Sequence, residues 1–277
     1  TFGYLIGRVI VAQVFLPAYY KGELSTAYSY LQNRFGNKTR SLASVTFLFT
    51  RTAADCGRLF ATAIPLYLML DISPMVAIII IAMVALLYTF TGGLKGVIWV
   101  DAIQMFIYIG GAIIAGIYLI NNIPGNIGEI FSSAEITSKL SVFNFGFDKG
   151  FAGFFSQPYT LLSGLIGGAF LSMSSHGTDQ LIVQRLLAAK DLGESKKALV
   201  TTGVIIIFQF ALFLIVGVLL YAYYGLINVK SDEIFPKFII EVLPSGVKGI
   251  IIAGLFAAAL STLAGSITSL SSSVMLD

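Results

Sequence analysis

Seven stretches of this chain are apolar for long enough to cross a lipid bilayer, and that repetition constrains the fold more than any motif does. They lie at roughly 1–20, 40–70, 74–92, 99–121, 157–182, 198–226 and 246–274, against the ~20 residues that a helical span needs. Of the 277 residues, 57% are hydrophobic and 11% charged, with a mean hydropathy of +0.88, where a soluble domain carries about 25% charge. A polytopic, all-α membrane protein is the class that fits. The formal charge of +3 is spread over several loops and forms no long basic run suited to nucleic acid. The single cysteine, Cys56, excludes a disulfide framework and a thiolate metal site. Thr1 begins inside one apolar run and Asp277 follows closely on another, so residues 1–277 read as one transmembrane domain cut from a longer chain.

Loop charges set the expected sidedness. Arg34, Lys38 and Arg40 cluster between the first two spans, Lys95 follows the third, and Arg185, Lys190, Lys196 and Lys197 follow the fifth. The alternate loops carry Glu129, Glu135, Asp232 and Glu233. The excess of lysine and arginine on one side predicts that the first span runs inward and that the last ends inside.

Polar residues inside the apolar runs are the candidates for function. In the last span Ala258, Ser261/Thr262, Gly265, Ser269 and Ser272 share a helix face. Such a seam serves close helix packing, or else its adjacent hydroxyls and a freed carbonyl offer hard oxygen ligands to a small cation such as Na⁺. Arg51, Asp55 and Arg58 fall on one face of the second span, so the carboxylate can pair with either arginine. Each such charge costs ~2.5–3.5 kcal/mol on insertion scales and so must face a bundle interior or a wet cavity. Gly92-Gly93 with Lys95 predicts a short turn, after which Asp101 enters the next span at its first turn, where an acidic residue also suits the helix dipole. The fifth apolar stretch is apolar over Gly164–Leu171 but almost wholly polar or small over Ser172–Gln180. That switch predicts an interrupted helix, the usual mark of a transporter binding site. His176 is the lone histidine, which discounts a metal centre. Ser175, His176 and Asp179 are too close in sequence to assemble a catalytic triad.

Four stretches, in order, carry a family resemblance. They are Tyr30-Leu-Gln-Asn-Arg-Phe-Gly36, Thr91-Gly-Gly-Leu-Lys-Gly-Val-Ile-Trp-Val-Asp-Ala-Ile-Gln104, Gly167-Gly-Ala-Phe-Leu-Ser-Met-Ser-Ser-His-Gly-Thr-Asp-Gln180 with Gln184-Arg-Leu-Leu-Ala-Ala-Lys190, and Gly254-Leu-Phe-Ala-Ala-Ala-Leu-Ser-Thr262. Together they resemble the sodium/solute symporter family, which includes the sodium/glucose cotransporters. The resemblance implies a LeuT-type inverted-repeat helical bundle of two five-helix repeats, here truncated to about seven transmembrane helices, the second to eighth of the core. It implies sodium binding by the Ala258 carbonyl and the Ser261 and Thr262 hydroxyls, with Asp101 on the sodium exit path. It further implies substrate-contact or gate positions at Thr1, Ser172, Ser175 and His176, and a cationic anchor for a solute carboxylate at Arg58. Thr1 replaces an acidic residue of the sugar carriers, Ile206 a sugar-contacting lysine and Ser175 an aromatic gate, which weakens a sugar substrate. Ala264 and Gly265 stand where members with a further ion site carry serines, which argues against a second sodium.

The expected function is therefore sodium-coupled symport of a small polar solute, a carboxylate such as sialic acid or else a sugar, by a multi-pass protein of the cell membrane. Na⁺ is the coupling ion, the lipid bilayer the surroundings, and no cofactor, catalytic residue or nucleic-acid partner is expected. Two rivals remain. A seven-helix receptor or retinal protein fits the interrupted helix poorly, and Lys248 sits at the mouth of the last span, where no Schiff base would form. An intramembrane hydrolase around Ser175 and His176 would act without any ion gradient.

Overall fold

The computed structural model describes residues 1–22, 26–123, 127–132, 136, 143–146, 150, 157, 160–225 and 230–277. Its elements are helices. α1 (Phe2–Ile10) passes through a π-helical turn (Val11–Phe15) into α2 (Leu16–Lys21), followed by α3 (Ala27–Phe35), α4 (Asn37–Leu70), α5 (Pro74–Asn122) and α6 (Ile127–Ser132). After these come α7 (Leu161–Gly177), α8 (Gln180–Leu187), α9 (Leu192–Tyr224), α10 (Ser231–Glu241) and α11 (Ser245–Leu276). Among the described residues five helical stretches are long and apolar enough to cross a membrane: Phe2–Lys21, Asn37–Leu70, Gly96–Asn122, Leu192–Tyr224 and Ser245–Leu276.

Two of the seven expected spans differ from the sequence reading. The turn at Gly92-Gly93 is absent, because the backbone is helical without a break from Pro74 to Asn122. Glycine costs a helix only about 1 kcal/mol apiece, and the segment has no proline after its first position to forbid continuation. The expected third span survives as a shorter apolar piece, Pro74–Leu87. The fifth stretch is interrupted inside Ser172–Gln180 as expected, but only at Thr178-Asp179, because Ser172–Gly177 remain helical and α7 is 17 residues long. The hydroxyls there satisfy the helix instead of opening it: Thr178 Oγ1 donates to the Ser174 carbonyl at 2.9 Å. Asp179 then accepts from the Leu181 amide at 2.9 Å and caps α8. Glu135 and most of the loop at 122–156 lie outside the described residues.

The chain divides into two compact units, with boundaries inside α4, α9 and α11. The first holds Thr1–Phe47, Ser138–Ala211 and Ser272–Asp277, and the second Leu48–Thr137 and Leu212–Ser271. In the first unit α1 lies on α7 with their backbones nearly touching. Both are glycine-rich at the contact, which is how membrane helices approach when no hydrophobic force separates protein from lipid. An added Cβ at Gly3 would sit 2.4 Å from the Gly164 carbonyl oxygen. Ser172 Oγ donates to the Tyr4 carbonyl at 2.9 Å, and Tyr19 Oη to the Gly177 carbonyl at 2.6 Å. At one end of this unit the fully buried Asp277 carboxylate accepts from Arg40 Nε at 2.8 Å and from Thr26 Oγ1 at 2.6 Å. Arg40 also donates to Gln32 and to the Leu276 carbonyl. Burial, helped by the neighbouring Asp179 and Asp277 carboxylates, pushes the Tyr28 phenol above its ordinary range.

In the second unit α4 and α5 form a hairpin. Asp71 turns the chain at φ 52°, and Ser73 caps α5 with Pro74 at its first position. Ala63, Ala77 and Ile81 are buried between the two helices, with Phe256, Leu260 and Leu263 of α11 packed against them. A second core gathers Leu119, Leu219, Phe238 and Ile239 from α5, α9 and α10. α11 runs antiparallel along α5 through Gly111, which meets Ile251, and Gly254, which meets Ile107.

A Cβ at Gly7 would lie 2.4 Å from the Ala169 carbonyl oxygen, whereas one at Gly57 would meet nothing within 4 Å. Gly7→Ala is expected to lower stability by about 1–3 kcal/mol, while Gly57→Ala leaves it unchanged or raises it. Melting temperatures of the purified proteins check this, and an unshifted Gly7→Ala protein would mean that α1 and α7 do not pack this closely.

Candidate functional site

The candidate residues fall into the two units separately. Thr1, Ser172, Ser175 and His176 belong to the first, and Arg58, Asp101, Ala258, Ser261 and Thr262 to the second.

In the second unit, the antiparallel run of α5 along α11 carries Asp101 and Ser261 opposite one another, and the Ser261 hydroxyl donates to the Asp101 carboxylate. With its proton on Asp101, Ser261 Oγ keeps its lone pairs for a cation. One residue on, Thr262 Oγ1 donates to the Ala258 carbonyl at 3.1 Å. Inside the unbroken α11 that carbonyl also accepts the Thr262 amide, so both of its acceptor positions are taken, and one opens to a cation only when the Thr262 hydroxyl turns away. Ala258, Thr262 and Leu263 form one wall of a cleft of about 320 Å³, and α4 supplies the other with Arg58, Thr62 and Pro65. Pro65 stands inside α4, so it cannot donate to the Ala61 carbonyl beside this cleft, and that oxygen is left without its helical partner.

Arg58 is available to the cleft because of what happens one turn earlier. Arg51 is buried, its side chain 5% exposed, and Nε donates to Asp55 Oδ2 at 3.0 Å and to Ser266 Oγ at 2.9 Å. Asp55 Oδ1 also accepts from Arg58 Nη1 at 3.2 Å, but the Arg58 side chain is 53% exposed. One carboxylate thus faces two guanidinium groups. The buried arginine satisfies it, and the open one keeps a surplus positive charge. The serine seam of α11 is turned accordingly, with Ser266 and Ser269 buried and Ser261 and Thr262 half-buried.

In the first unit Ser172 is fully buried and its hydroxyl is committed to the Tyr4 carbonyl. Ser175 Oγ and His176 Nδ1 are 2.8 Å apart, yet no carboxylate among the described residues bonds to His176, so the pair lacks the third member of a hydrolytic triad. Thr1 is exposed at the start of α1, with no side-chain cap bond. It lies about 9 Å along the helix axis from the Gly7 contact with Ser172.

Sequence reasoning missed Ser266, which is 215 residues from its partner Arg51. It also passed over Arg8, Pro65 and the close glycines of α1. The signals were present: a charge and a proline in apolar runs, and Gly3 and Gly7 four residues apart.

The sodium:solute symporter family model matches residues 1–277, and the chain belongs to that family. It is 30% identical to the sodium/sialic acid symporter NanT of Aliivibrio fischeri, over 96% of this chain and 54% of that protein. With the sodium/sialic acid symporter SiaT of Proteus mirabilis it shares 29% over 95% of this chain and 53% of that protein. The sodium-coupled monocarboxylate transporter 2 of Bos taurus is 28% identical over 98% of this chain and 44% of its own length. A solved substrate-bound, outward-open state of a Na⁺-coupled sialic acid symporter superposes with a TM-score of 0.80 at 27% identity, covering 99% of this chain and 59% of that one. The chain spans about half the length of the curated relatives it matches. These relatives are transporters, and the likeness gives the chain the fold expected of a multi-pass, LeuT-type membrane protein rather than of a receptor or a hydrolase.

Asp55→Asn removes the carboxylate paired with the buried Arg51 and is expected to cost about 3–5 kcal/mol. Arg58→Gln removes only a half-exposed pair and should cost about 1 kcal/mol or less. Thermal unfolding of the two variants distinguishes them, and equal losses would deny Arg51 its dependence on Asp55.

Proposed function

We propose that this member of the sodium:solute symporter family carries out Na⁺-coupled symport of a small acidic solute across the cell membrane. The lipid bilayer surrounds it, and no nucleic acid takes part. Na⁺ leaving water needs fixed oxygens in place of its hydration shell. The Ala258 carbonyl and the Ser261 and Thr262 hydroxyls supply them, and the Asp101 carboxylate on Ser261 balances the ion's charge and draws it along its way out. Thr1, Ser172, Ser175 and His176 are proposed on the solute's side, Ser172 through its hold on α1 and the others as contacts or gates.

The observation that carries the acidic solute is the division of labour around Asp55, which leaves Arg58 half exposed on the cleft lined by Ala258 and Thr262. A guanidinium fork remains charged and binds a carboxylate bidentately. The named solutes of the relatives, sialic acid and monocarboxylates, are acids of that kind. The energetics are compatible with this pairing. One Na⁺ moving down about 100 mV carries ~2.3 kcal/mol, enough for roughly 50-fold accumulation of a neutral solute. A monoanion carried with one Na⁺ moves without net charge and draws on the sodium concentration gradient alone.

Ser261→Ala with Thr262→Ala is expected to abolish Na⁺-dependent uptake by the full-length protein in proteoliposomes. Asp101→Asn should raise the Na⁺ concentration for half-maximal uptake by about tenfold or more. Equal uptake in K⁺ medium, or normal sodium kinetics in both variants, would remove the sodium assignment.

For the solute, Arg58→Lys keeps the charge without the fork, and Arg58→Gln loses both. Apparent affinity for N-acetylneuraminate should weaken in both, about tenfold or more in the second. Wild-type affinity in a folded Arg58→Gln protein would return Arg58 to a purely structural pairing with Asp55.

A further inference from the structure

The sodium and solute assignments leave one buried charge unused. Arg8 stands about two turns into α1 and is only 5% exposed. Its Nη1 donates to Thr202 Oγ1 at 2.8 Å, and its Nε meets no acceptor among the described residues. Its stem packs on Gly203 beside Leu5. Tyr4 on its own helix and His176 of α7, whose ring is held by Ser175, feel its charge.

The contrast with Arg51 is instructive. Both arginines are 5% exposed, but Arg51 has Asp55 and Ser266, while Arg8 has a single hydroxyl. No carboxylate among the described residues pairs with Arg8. A guanidinium does not shed its proton at depth, as a lysine can. An uncompensated charge inside a membrane span is costly and marks a site for a partner. The geometry also says which partner. With one Nη1 proton held by Thr202, Nε and Nη2 together still present a free edge of the fork, the edge that grips a carboxylate with two parallel bonds or a halide with two convergent ones.

We propose that Arg8 anchors an anion site within the first unit, held by α1, α7 and α9. Thr202 tethers the far nitrogen and the Ser175–His176 pair lies beside it. The anion takes the Nε–Nη2 edge. It comes from one of two sources, the chloride of the medium or the carboxylate of the transported solute at a stage when Arg58 does not hold it. The carboxylate source rests on the acidic-solute reading above, whereas chloride does not.

The test is thermal unfolding of the purified full-length protein at constant Na⁺, with methanesulfonate as the background anion. Chloride and N-acetylneuraminate are titrated in turn. Wild type is expected to be stabilised saturably by at least one of them. Arg8→Gln should raise the half-saturating concentration of that ligand about tenfold or more, Arg8→Lys less so. Thr202→Val, which frees the fork from its tether, should shift it in the same direction with the charge in place. If Arg8→Gln does not fold, Arg8→Lys and Thr202→Val carry the measurement. Sensitivity of the chloride titration alone identifies a halide site, and of the N-acetylneuraminate titration alone a solute subsite. If N-acetylneuraminate binding is lost in Arg58→Gln but untouched in all the Arg8 and Thr202 variants, the acidic-solute reading stands and Arg8 is not its anchor. The proposal is overturned if none of these variants alters either titration, because the Arg8 charge is then balanced by the protein itself.

Discussion

Hydrocarbon supplies no hydrogen-bond partners, and every polar group that these helices carry into it has to be met by the protein or by something the protein binds. Much of the structure follows from that demand. Asp55 is met twice, by Arg51 and Arg58, and Arg51 twice, by Asp55 and Ser266. Ser172 is met by a backbone carbonyl of the neighbouring helix and Ser261 by Asp101. Where the demand is met inside the protein, the residue acts as mortar. Where it is met only in part, as at the half-exposed Arg58 and the single-hydroxyl Arg8, donors are left over, and those are the two places where we propose a ligand.

That sorting explains what the sequence could and could not reveal. The apolar runs were legible because a span needs only length and hydropathy, and five of them appear as long helices. The Asp55 pairings were legible because they are local, three and four residues apart on one helix. Ser261 and Asp101 could each be picked out, but not their bond, which joins residues 160 apart and depends on glycines that bring α5 and α11 together. The absent turn at Gly92-Gly93 and the helical course of Ser172–Gly177 share a cause. Composition at both places lowers helix propensity without forbidding a helix, and serine and threonine hydroxyls can bond back to carbonyls of the preceding turn. The cap at Asp179, a carboxylate placed just before a fresh amphipathic run, was the better signal for the true interruption.

Glycine does the positioning that side chains cannot. Along α1 and α7 it lets backbone lie against backbone, and that contact aligns the carbonyl of Tyr4 with Ser172, while Gly203 of α9 makes room for the stem of Arg8. Along α5 and α11 it does the same for Asp101 and Ser261. The polar geometry of each unit is therefore dictated by residues with no polar side chain, and a substitution several residues from any candidate ligand would shift that ligand by altering how closely two backbones approach.

The clamp of Arg40 and Thr26 on Asp277 has a consequence in time. Its partners are 237 and 251 residues apart, and at ~5–20 residues per second a ribosome needs on the order of 10–50 s to travel from one to the other. For that whole interval Arg40, in the first turn of α4 beside Lys38 and near Arg34, lacks that carboxylate and belongs to the kind of cation cluster that biases which way helices insert. Only when the end of α11 emerges does the same guanidinium acquire a carboxylate and become an internal strut. The clamp is thus a late contact, closed only after nearly the whole of this stretch has been made.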